Sequence, residues 1–266
     1  MRPPRPLLAG PTLAALAVAA LSVAGAAGTL LGPLATRAGA ATTTTTAAGS
    51  AVQTRLLAAQ TAAIAAAKSA GSVHYVQKAS AGKQTVEIVG DASGSEGREM
   101  VTVHNGSSVG HVTGELTGGK VYFEGDDYGL TSYLGMPANL ASKYAHRWIV
   151  FTQADQGFKQ TAKTFTISGP LSVVTLSKGT LGPGPGSTIA STAVTSIRGR
   201  TAALSTSGKS GTGTLYVAAA GSPLPVRFVG TGTQDAGPAK GQVDFSQWGE
   251  PVTLSAPSHA VAASKI

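Results

Sequence analysis

Cysteine is absent from the 266 residues of the chain. That absence excludes disulfide bonds, cysteine-ligated zinc or iron–sulfur sites, thiol nucleophiles and lipid-modified cysteines. Charged residues make up 12% of the chain, against about 25% in an average soluble domain, and aromatic residues make up 5%. The chain is not a disordered polyelectrolyte, because 42% of its residues are hydrophobic.

The basic residues are too dispersed for a nucleic-acid site. The formal net charge is +8, and Arg2, Arg5 and Arg37 all precede residue 41, whereas the first acidic residue is Glu87. No stretch holds four basic residues close together, so we expect no nucleic-acid partner. A weak attraction to an anionic membrane surface is compatible with this charge.

Residues 1–40 have the organisation of an export signal. A short basic segment precedes the uncharged run 7–31, and Ala38-Gly39-Ala40 provides the small residues of a cleavage site. Two interpretations stay open: a cleaved signal peptide, or an uncleaved membrane anchor, because the run is long enough to cross ~30 Å of bilayer. Both predict an exported protein, secreted or held in the extracytoplasmic cell envelope. Residues 41–50 are rich in threonine and predict a linker.

Glycine is abundant, with 35 residues, and together with valine and threonine it predicts a sheet with many turns. Residues 51–70 predict a helix with Ser50 as its N-cap and a stripe of small apolar residues at Val52, Leu56, Ala59, Ala63, Ala66 and Ala70. From Val73 onward the apolar residues alternate, which indicates about ten to eleven antiparallel strands. The segments concerned are 73–78, 84–90, 98–104, 107–116, 120–124, 147–151, 189–198, 200–207, 213–219, 225–233 and 241–245, with a short one at 252–256.

A helical insertion interrupts this meander. Its segments are 126–134, 137–144 with Pro137 at the first helical position, 153–164 and 170–178. A sheet of so many strands must curl into a barrel or half-barrel. The sequence therefore predicts an α+β domain at 51–260, followed by a tail at 261–266.

The sequence contains no catalytic constellation that we could identify. An Asn105-Gly106 turn places His104 and His111 about 13 Å apart at ~3.3 Å per residue, too far to share a metal. Ser80 and Lys83 match S-x-x-K without the motifs that accompany it in β-lactamases. Asp126-Asp127 predicts a solvated turn. We therefore expect that the protein is not an enzyme and binds no metal or cofactor. A hydrolase is an alternative supported only by Ser80 and the histidines.

Several strands carry apolar residues on both faces. In residues 147–151, Trp148 and Val150 oppose Ile149 and Phe151, and in 120–124 Tyr122 opposes Phe123. A strand with one solvated face would alternate apolar and polar residues. Two interpretations are open: an ordinary core beneath the helical insertion, or a concave face that holds an apolar ligand.

From about Ala65 to Ala260 the chain resembles the actinobacterial LppX/LprA/LprF/LprG-type cell-envelope proteins, which share the LolA/LolB-like lipoprotein-carrier fold. The resemblance depends on the order and spacing of five segments. They are AGSVH at 70–74, TGGKVY at 117–122 before the loop 126–133, AHRWI at 145–149, TLYV at 214–217 followed by PLPV at 223–226, and FSQWGEPV at 245–252 followed by Ala256-Pro257.

The resemblance implies a strongly curved antiparallel half-barrel whose concave face is covered by helices. It further implies a non-enzymatic protein that binds acyl chains of lipids or glycolipids in an apolar cavity, for transport or presentation. Typical members carry an acylated cysteine after the signal peptide. This chain has none, so it is either released after cleavage or held by an uncleaved helix at 7–31.

Apolarity and position predict the residues that line this cavity. They are Val86, Ile88, Val101, Val103, Tyr122, Ile149, Phe151, Phe158, Phe165, Leu171, Val174, Leu215, Val217 and Phe228. The alternative function is an extracytoplasmic protein-interaction or regulatory module that uses the same fold without a ligand. Several hundred cubic ångströms of apolar space under the insertion would favour a lipid, and a tightly packed core would favour the module.

Overall fold

A computed structural model describes residues 43–201, 203, 211–234 and 236–266. The predicted export segment at 1–40 lies outside these residues. The described strands form one large, curved and unclosed sheet. Its thirteen strands exceed the ten to eleven expected, while the predicted class is confirmed: an α+β fold with a strongly curved, mostly antiparallel half-barrel sheet.

In the described part of the chain, five α-helices and a short 3₁₀ helix accompany the strands. The helices are α1 (Thr43–Ala70), α2 (Asp127–Ser132), α3 (Ala138–Tyr144), α4 (Phe158–Thr164) and α5 (Ser168–Ser172), and the 3₁₀ helix is Ala263–Lys265. The strands are β1 (Ser72–Ala81), β2 (Gln84–Ser93), β3 (Gly97–Asn105), β4 (Ser108–Thr117), β5 (Lys120–Gly125), β6 (Ile149–Phe151), β7 (Gly182–Pro183), β8 (Ser187–Ile189), β9 (Thr192–Thr201), β10 (Gly211–Ala218), β11 (Pro225–Gln234), β12 (Gly237–Ser246) and β13 (Val261–Ala262).

Strand β1 lies in the middle of the sheet and joins two meanders. The strand order is β13-β6-β5-β4-β3-β2-β1-β12-β11-β10-β9-β7, and β8 also pairs with β9. Tyr75 of β1, for example, lies opposite Gly90 of β2 on one side and Phe245 of β12 on the other. Alternate residues of each strand face the helices. We call this helix-covered side the inner face and the opposite side the outer face.

Two predicted strands near the carboxyl end are wrong. Strand β9 runs without a break through Gly199 to Thr201, so no separate strand begins at residue 200, and residues 204–210 lie outside the described part. Residues 252–256 are not a strand, because Pro251 and Pro257 flank them and proline has no N–H to donate.

The predicted tail at 261–266 packs onto the domain instead. Strand β13 adds to the sheet edge in parallel with β6, with Val261 opposite Ile149. Ala263 of the following 3₁₀ helix is buried. The last residues therefore cover an edge of the sheet that would otherwise be open.

The helices differ from expectation at their ends. Helix α1 begins at Thr43 rather than at 51, so most of the predicted linker is helical, because extension of an existing helix is easy compared with nucleation. Ser50 lies inside this helix, where its carbonyl accepts a bond from Thr54 Oγ1 at 2.9 Å.

The helices of the insertion also differ from the prediction at their ends. Pro137 is the N-cap of α3 rather than its first residue. Helix α4 starts only at Phe158, because Asp155 holds a turn by accepting bonds from the backbone N–H and hydroxyl of Thr152, and α5 ends at Ser172 rather than at 178.

The hairpin between β3 and β4 turns one residue later than predicted. Gly106, with φ of 62°, and Ser107 form the turn, and Asn105 pairs with Ser108. His111 consequently lies opposite Thr102, which is two residues from His104 on the same strand face rather than the four expected. Within the described residues, no group of three or more His, Cys, Asp or Glu side chains is placed to hold a metal.

Candidate functional site

The main apolar cluster of the protein occupies the inner face. It contains most of the residues predicted for the cavity: Val86, Ile88, Val101, Val103, Phe158, Phe165, Leu171, Val174, Leu215, Val217 and Phe228. Phe151 is half-buried and packs against the same cluster. The sequence therefore identified the apolar interior, and whether these residues hold a ligand stays a prediction.

Two of the predicted residues lie elsewhere. Ile149 belongs to a second cluster at the β6 edge, together with Leu130, Met136 and Tyr144. Tyr122 is buried but belongs to neither cluster. It pairs with Glu115 on the outer face, whereas its neighbour Phe123 faces inward, because successive side chains of a strand alternate.

Helices α4 and α5, with the residues between them, cover the inner face over β2–β5, and we call this segment (158–172) the α4–α5 cover. Its Phe165 ring packs against Phe123 with 5.7 Å between centroids. Gly114 lies directly beneath, since a Cβ atom there would come within 2.5 Å of the Phe165 ring. The Ile167 N–H also donates to the Ser93 carbonyl at 2.8 Å. The cover is thus docked by aromatic contacts and a backbone hydrogen bond.

Neither helix of the α4–α5 cover has a side-chain N-cap. Helix α4 has seven residues and begins after Gly157, which takes a φ of 80°, and α5 has five residues. Helices this short are not stable alone in water. The cover therefore keeps its place through its contacts with the sheet rather than through its own helical structure.

The other half of the inner face is covered by α1 and the segment 176–181, and the two are joined by glutamine side chains. The Gln60 amide accepts a bond from Leu176 N–H at 2.9 Å and donates to the Leu176 carbonyl at 3.2 Å. Gln53 makes the same pair of bonds with Leu181. We call this arrangement the glutamine clasp. Because the two residues are seven apart, they lie on one face of α1.

The apolar stripe predicted for α1 is wrong in part. Val52 and Ala59 are exposed, and the buried positions are Gln60, Ala63 and Ala67. Burial of Gln60 is favourable because its amide satisfies a backbone donor and a backbone acceptor that would otherwise be buried without partners. The seven-residue spacing of the two glutamines is the sequence signal that would have located the clasp.

A polar pair lies within the apolar interior and was not predicted. Tyr75, Gly90, Glu99 and Gly114 occupy neighbouring positions across β1–β4. A Cβ atom at residue 90 would lie 2.6 Å from the Tyr75 ring, so glycine gives the ring its space. The Tyr75 hydroxyl reaches across and donates to Glu99 Oε1 at 2.5 Å. The alternation of Glu99 with Val101 and Val103 is the signal that would have placed Glu99 on the inner face.

Burial sets the protonation of this pair. Glu99 is 7% exposed, and desolvation raises the pKa of its carboxyl to about 7, although the Tyr75 hydrogen bond opposes the shift. Burial and the neighbouring Glu99 raise the pKa of Tyr75 well above its ordinary value, and the same causes act on Tyr133. Glu99 therefore changes its charge near neutral pH, while both tyrosines stay neutral.

Tyr75, Glu99 and Tyr133 line a cavity of about 20 Å³ between the sheet and α5. That volume is enough for about one water molecule. Among the larger depressions in the described part of the chain, those of about 520 and 480 Å³ are open and lie among outer-face side chains, near Arg198 and Lys240 respectively. Another, of about 190 Å³, lies near His74 and Gln247. An acyl chain at Glu99 therefore requires the neighbouring protein side chains to move.

No family model matches the chain, and no curated protein matches it. Among solved structures, the chain is similar to LprF from Mycobacterium bovis at 14% identity, covering 76% of this chain and 97% of that chain with a TM-score of 0.48. It is also similar to the lipoprotein LppX from Mycobacterium tuberculosis, at 18% identity, 76% and 98% coverage and a TM-score of 0.45. An uncharacterized conserved protein from Thermus thermophilus matches at 13% identity, 74% and 91% coverage and a TM-score of 0.36.

LprF and LppX are members of the group that the sequence resembles, so the resemblance recurs in the comparison of structures. None of the helices in the described part of the chain has the length and apolarity needed to cross a membrane.

Proposed function

We propose that the chain is an exported, non-enzymatic cell-envelope protein that binds acyl chains of a lipid or glycolipid, for transport or presentation. The ligand would lie between the inner face and the α4–α5 cover. The observation that supports this proposal is the nature of the cover: two short helices without side-chain caps, docked on an apolar face through Phe158, Phe165 and Leu171.

An apolar cover of this kind is suited to exchange with a lipid. If the cover lifts, the contacts that it loses are apolar, and an acyl chain replaces them with contacts of the same kind. Each methylene buried contributes about 0.8 kcal/mol. A chain of ordinary lipid length thus offsets the cost of displacing three or four large side chains.

The glycines beneath the aromatic rings add space for such a chain. Gly90, Gly114 and Gly213 lie under the rings of Tyr75, Phe165 and Phe228, and a Cβ at each would be 2.5 or 2.6 Å from the ring. The rings fill volume that the sheet itself leaves empty. A rotation of Phe165 would therefore expose the backbone at Gly114 beneath the α4–α5 cover, and a rotation of Phe228 would expose it at Gly213 in the other half of the sheet.

The second candidate is an extracytoplasmic protein-interaction or regulatory module without a ligand. The observation that favours it is the packing around Glu99, where the cavity holds only about 20 Å³. For either candidate we propose a place in the extracytoplasmic envelope or outside the cell, at a membrane surface, with an N-terminal segment that is cleaved or retained.

Native mass spectrometry separates the two candidates. The full chain is exported in a bacterial host, purified without detergent and measured for added mass, and the added species are identified after denaturation. We expect lipid acyl chains to co-purify in substoichiometric or stoichiometric amounts. A bare protein mass in repeated preparations, including after incubation with an extract of envelope lipids, would reject the lipid-binding function and leave the module.

A further inference from the structure

A purely apolar ligand would make no hydrogen bond with the Glu99 carboxyl in the interior. Burial of a carboxyl is costly unless it is hydrogen-bonded, and Tyr75 satisfies one oxygen of Glu99. A carboxylate accepts more than one hydrogen bond through its two oxygens. Glu99 is 7% exposed and lines the cavity. Among the described side chains, only Tyr75 donates a hydrogen bond to its carboxyl group, so this group has the capacity to accept a further hydrogen bond.

The cavity walls limit the chemistry of a partner for Glu99. Apart from Glu99, the described lining residues are uncharged, with polar atoms from Gln77, Thr164 and Ser172 and the two tyrosines. None of them is a lysine, arginine or histidine. A phosphate or carboxylate headgroup would therefore find no cation here and would be repelled by ionised Glu99. A neutral group that donates a hydrogen bond meets an acceptor.

We propose that this cavity binds a hydroxyl group carried on the acyl ligand, with Glu99 as the acceptor of its hydrogen bond. The inference rests on the proposed lipid-binding function and specifies its substrate class as a hydroxyl-bearing acyl chain. The size of the cavity agrees with it, because about 20 Å³ holds a single small polar group. The hydroxyl takes the place that one water molecule would occupy.

The titration of Glu99 gives the proposal a second signature. Its titratable neighbours are Tyr75 of β1 and Tyr133 after α2, and the residues that α4 and α5 contribute to the cavity carry no charge. A hydroxyl that donates to Glu99 stabilises the ionised carboxylate. Affinity for an alcohol should consequently rise as the pH passes through about 7, the pKa of Glu99, whereas affinity for an ether, which has no donor, should not rise.

The test is competition for a fluorescent apolar probe, 1-anilinonaphthalene-8-sulfonate, bound to the full chain. The competitors are 1-decanol, methyl nonyl ether and decyl phosphate, measured at pH 6 and pH 8. At pH 8 we expect the alcohol to bind about five- to tenfold more tightly than the ether, and decyl phosphate to bind no better than the ether. In Glu99→Leu the alcohol and the ether should bind equally.

Two further variants keep the test decisive. Glu99→Gln still accepts a hydrogen bond but does not titrate, so it should keep a preference for the alcohol and lose its pH dependence, even if Glu99→Leu fails to fold. Glu87→Gln changes a carboxylate that pairs with Lys78 on the outer face and serves as the matched control. Equal binding of alcohol and ether by the native chain would overturn the hydroxyl site and leave the lipid function intact. If neither competitor binds, the lipid function itself fails.

Discussion

The two coverings of the inner face are held by different chemistry. The glutamine clasp fixes the segment 176–181 to α1 with directional hydrogen bonds to backbone groups at Leu176 and Leu181. The α4–α5 cover docks mainly through the side chains of Phe158, Phe165 and Leu171. The clasp specifies one geometry, since a displaced amide leaves buried partners unsatisfied. The cover tolerates displacement, since one apolar contact replaces another.

Because of this difference, we expect the interior to open over one half of the sheet only. The cover lies over β2–β5, where Glu99, Gly90 and Gly114 are also found. The half over β9–β12 is closed by the clasp. We therefore expect ligand entry beneath α4 and α5 and a rigid interior beneath α1.

Locking the cover should have the largest effect on ligand binding. The native chain has no cysteine, so the pair Ser93→Cys and Ile167→Cys, at positions joined by a backbone hydrogen bond, forms the only disulfide. We expect oxidation to reduce lipid loading at least about tenfold, the factor that 1.4 kcal/mol corresponds to, and reduction to restore it. Native mass spectrometry measures both the cross-link and the bound lipid.

The single variant Ser93→Cys, treated with the same oxidant, is the control for this experiment. It should load lipid as the native chain does. Equal loading of the locked and unlocked double variant would place ligand entry somewhere other than beneath the cover.

Breaking the clasp should affect stability rather than entry. Gln60→Ala removes both bonds to Leu176 and leaves a buried N–H and a buried carbonyl without partners. At about 1–3 kcal/mol for each of the two unsatisfied groups, we expect the free energy of unfolding to fall by about 2–6 kcal/mol. Urea denaturation followed by circular dichroism measures it. Thr61→Ala, on the exposed side of the same helix, should change it by less than about 0.5 kcal/mol.

The contrast between the coverings also shows what the sequence was able to predict. Alternating valines, as in Val101 and Val103, located the sheet and its inner face. Helix α1 was expected from its alanines, yet its buried side was misjudged, because the value of burying Gln60 depends on a backbone segment more than a hundred residues away. An amphipathic pattern shows which residues are apolar, but it does not show which residue distant in the sequence a side chain will bond.

The same limit explains Glu99 and the ends of the chain. Alternation places Glu99 on the inner face, but its pairing with Tyr75 depends on the glycine at position 90, and that is visible only once the strands are in register. The predicted tail at 261–266 begins with strand β13, because β6 offers an edge to which these residues pair. Individual strands were predictable from local pattern, whereas contacts across the sheet and at its edges were not.

The stability of the protein should depend on pH through Glu99, which lies beneath the α4–α5 cover. Its pKa rises from 4.5 to about 7 on folding, so the folded state binds a proton more tightly than the unfolded state does. Stability is therefore fully present below about pH 4.5 and declines as the pH rises to about 7, by on the order of 2–3 kcal/mol. Urea denaturation at pH 5 and pH 7.5 measures this decline. Glu99→Gln should remove it, and an unchanged pH dependence in that variant would contradict the assignment.

A methyl group under the cover should have the smallest effect and the most local one. Gly114→Ala places a Cβ within 2.5 Å of the Phe165 ring, and the ring and cover must shift, which costs about 1–3 kcal/mol of unfolding free energy. Gly94→Ala is the matched control, because a Cβ there has no neighbour within 4 Å. Since the cover already tolerates displacement, hydrogen exchange in Gly114→Ala should quicken across 158–172 and stay unchanged across the clasp segment 176–181. Faster exchange in both segments would mean that the two coverings move together and would remove the distinction drawn between them.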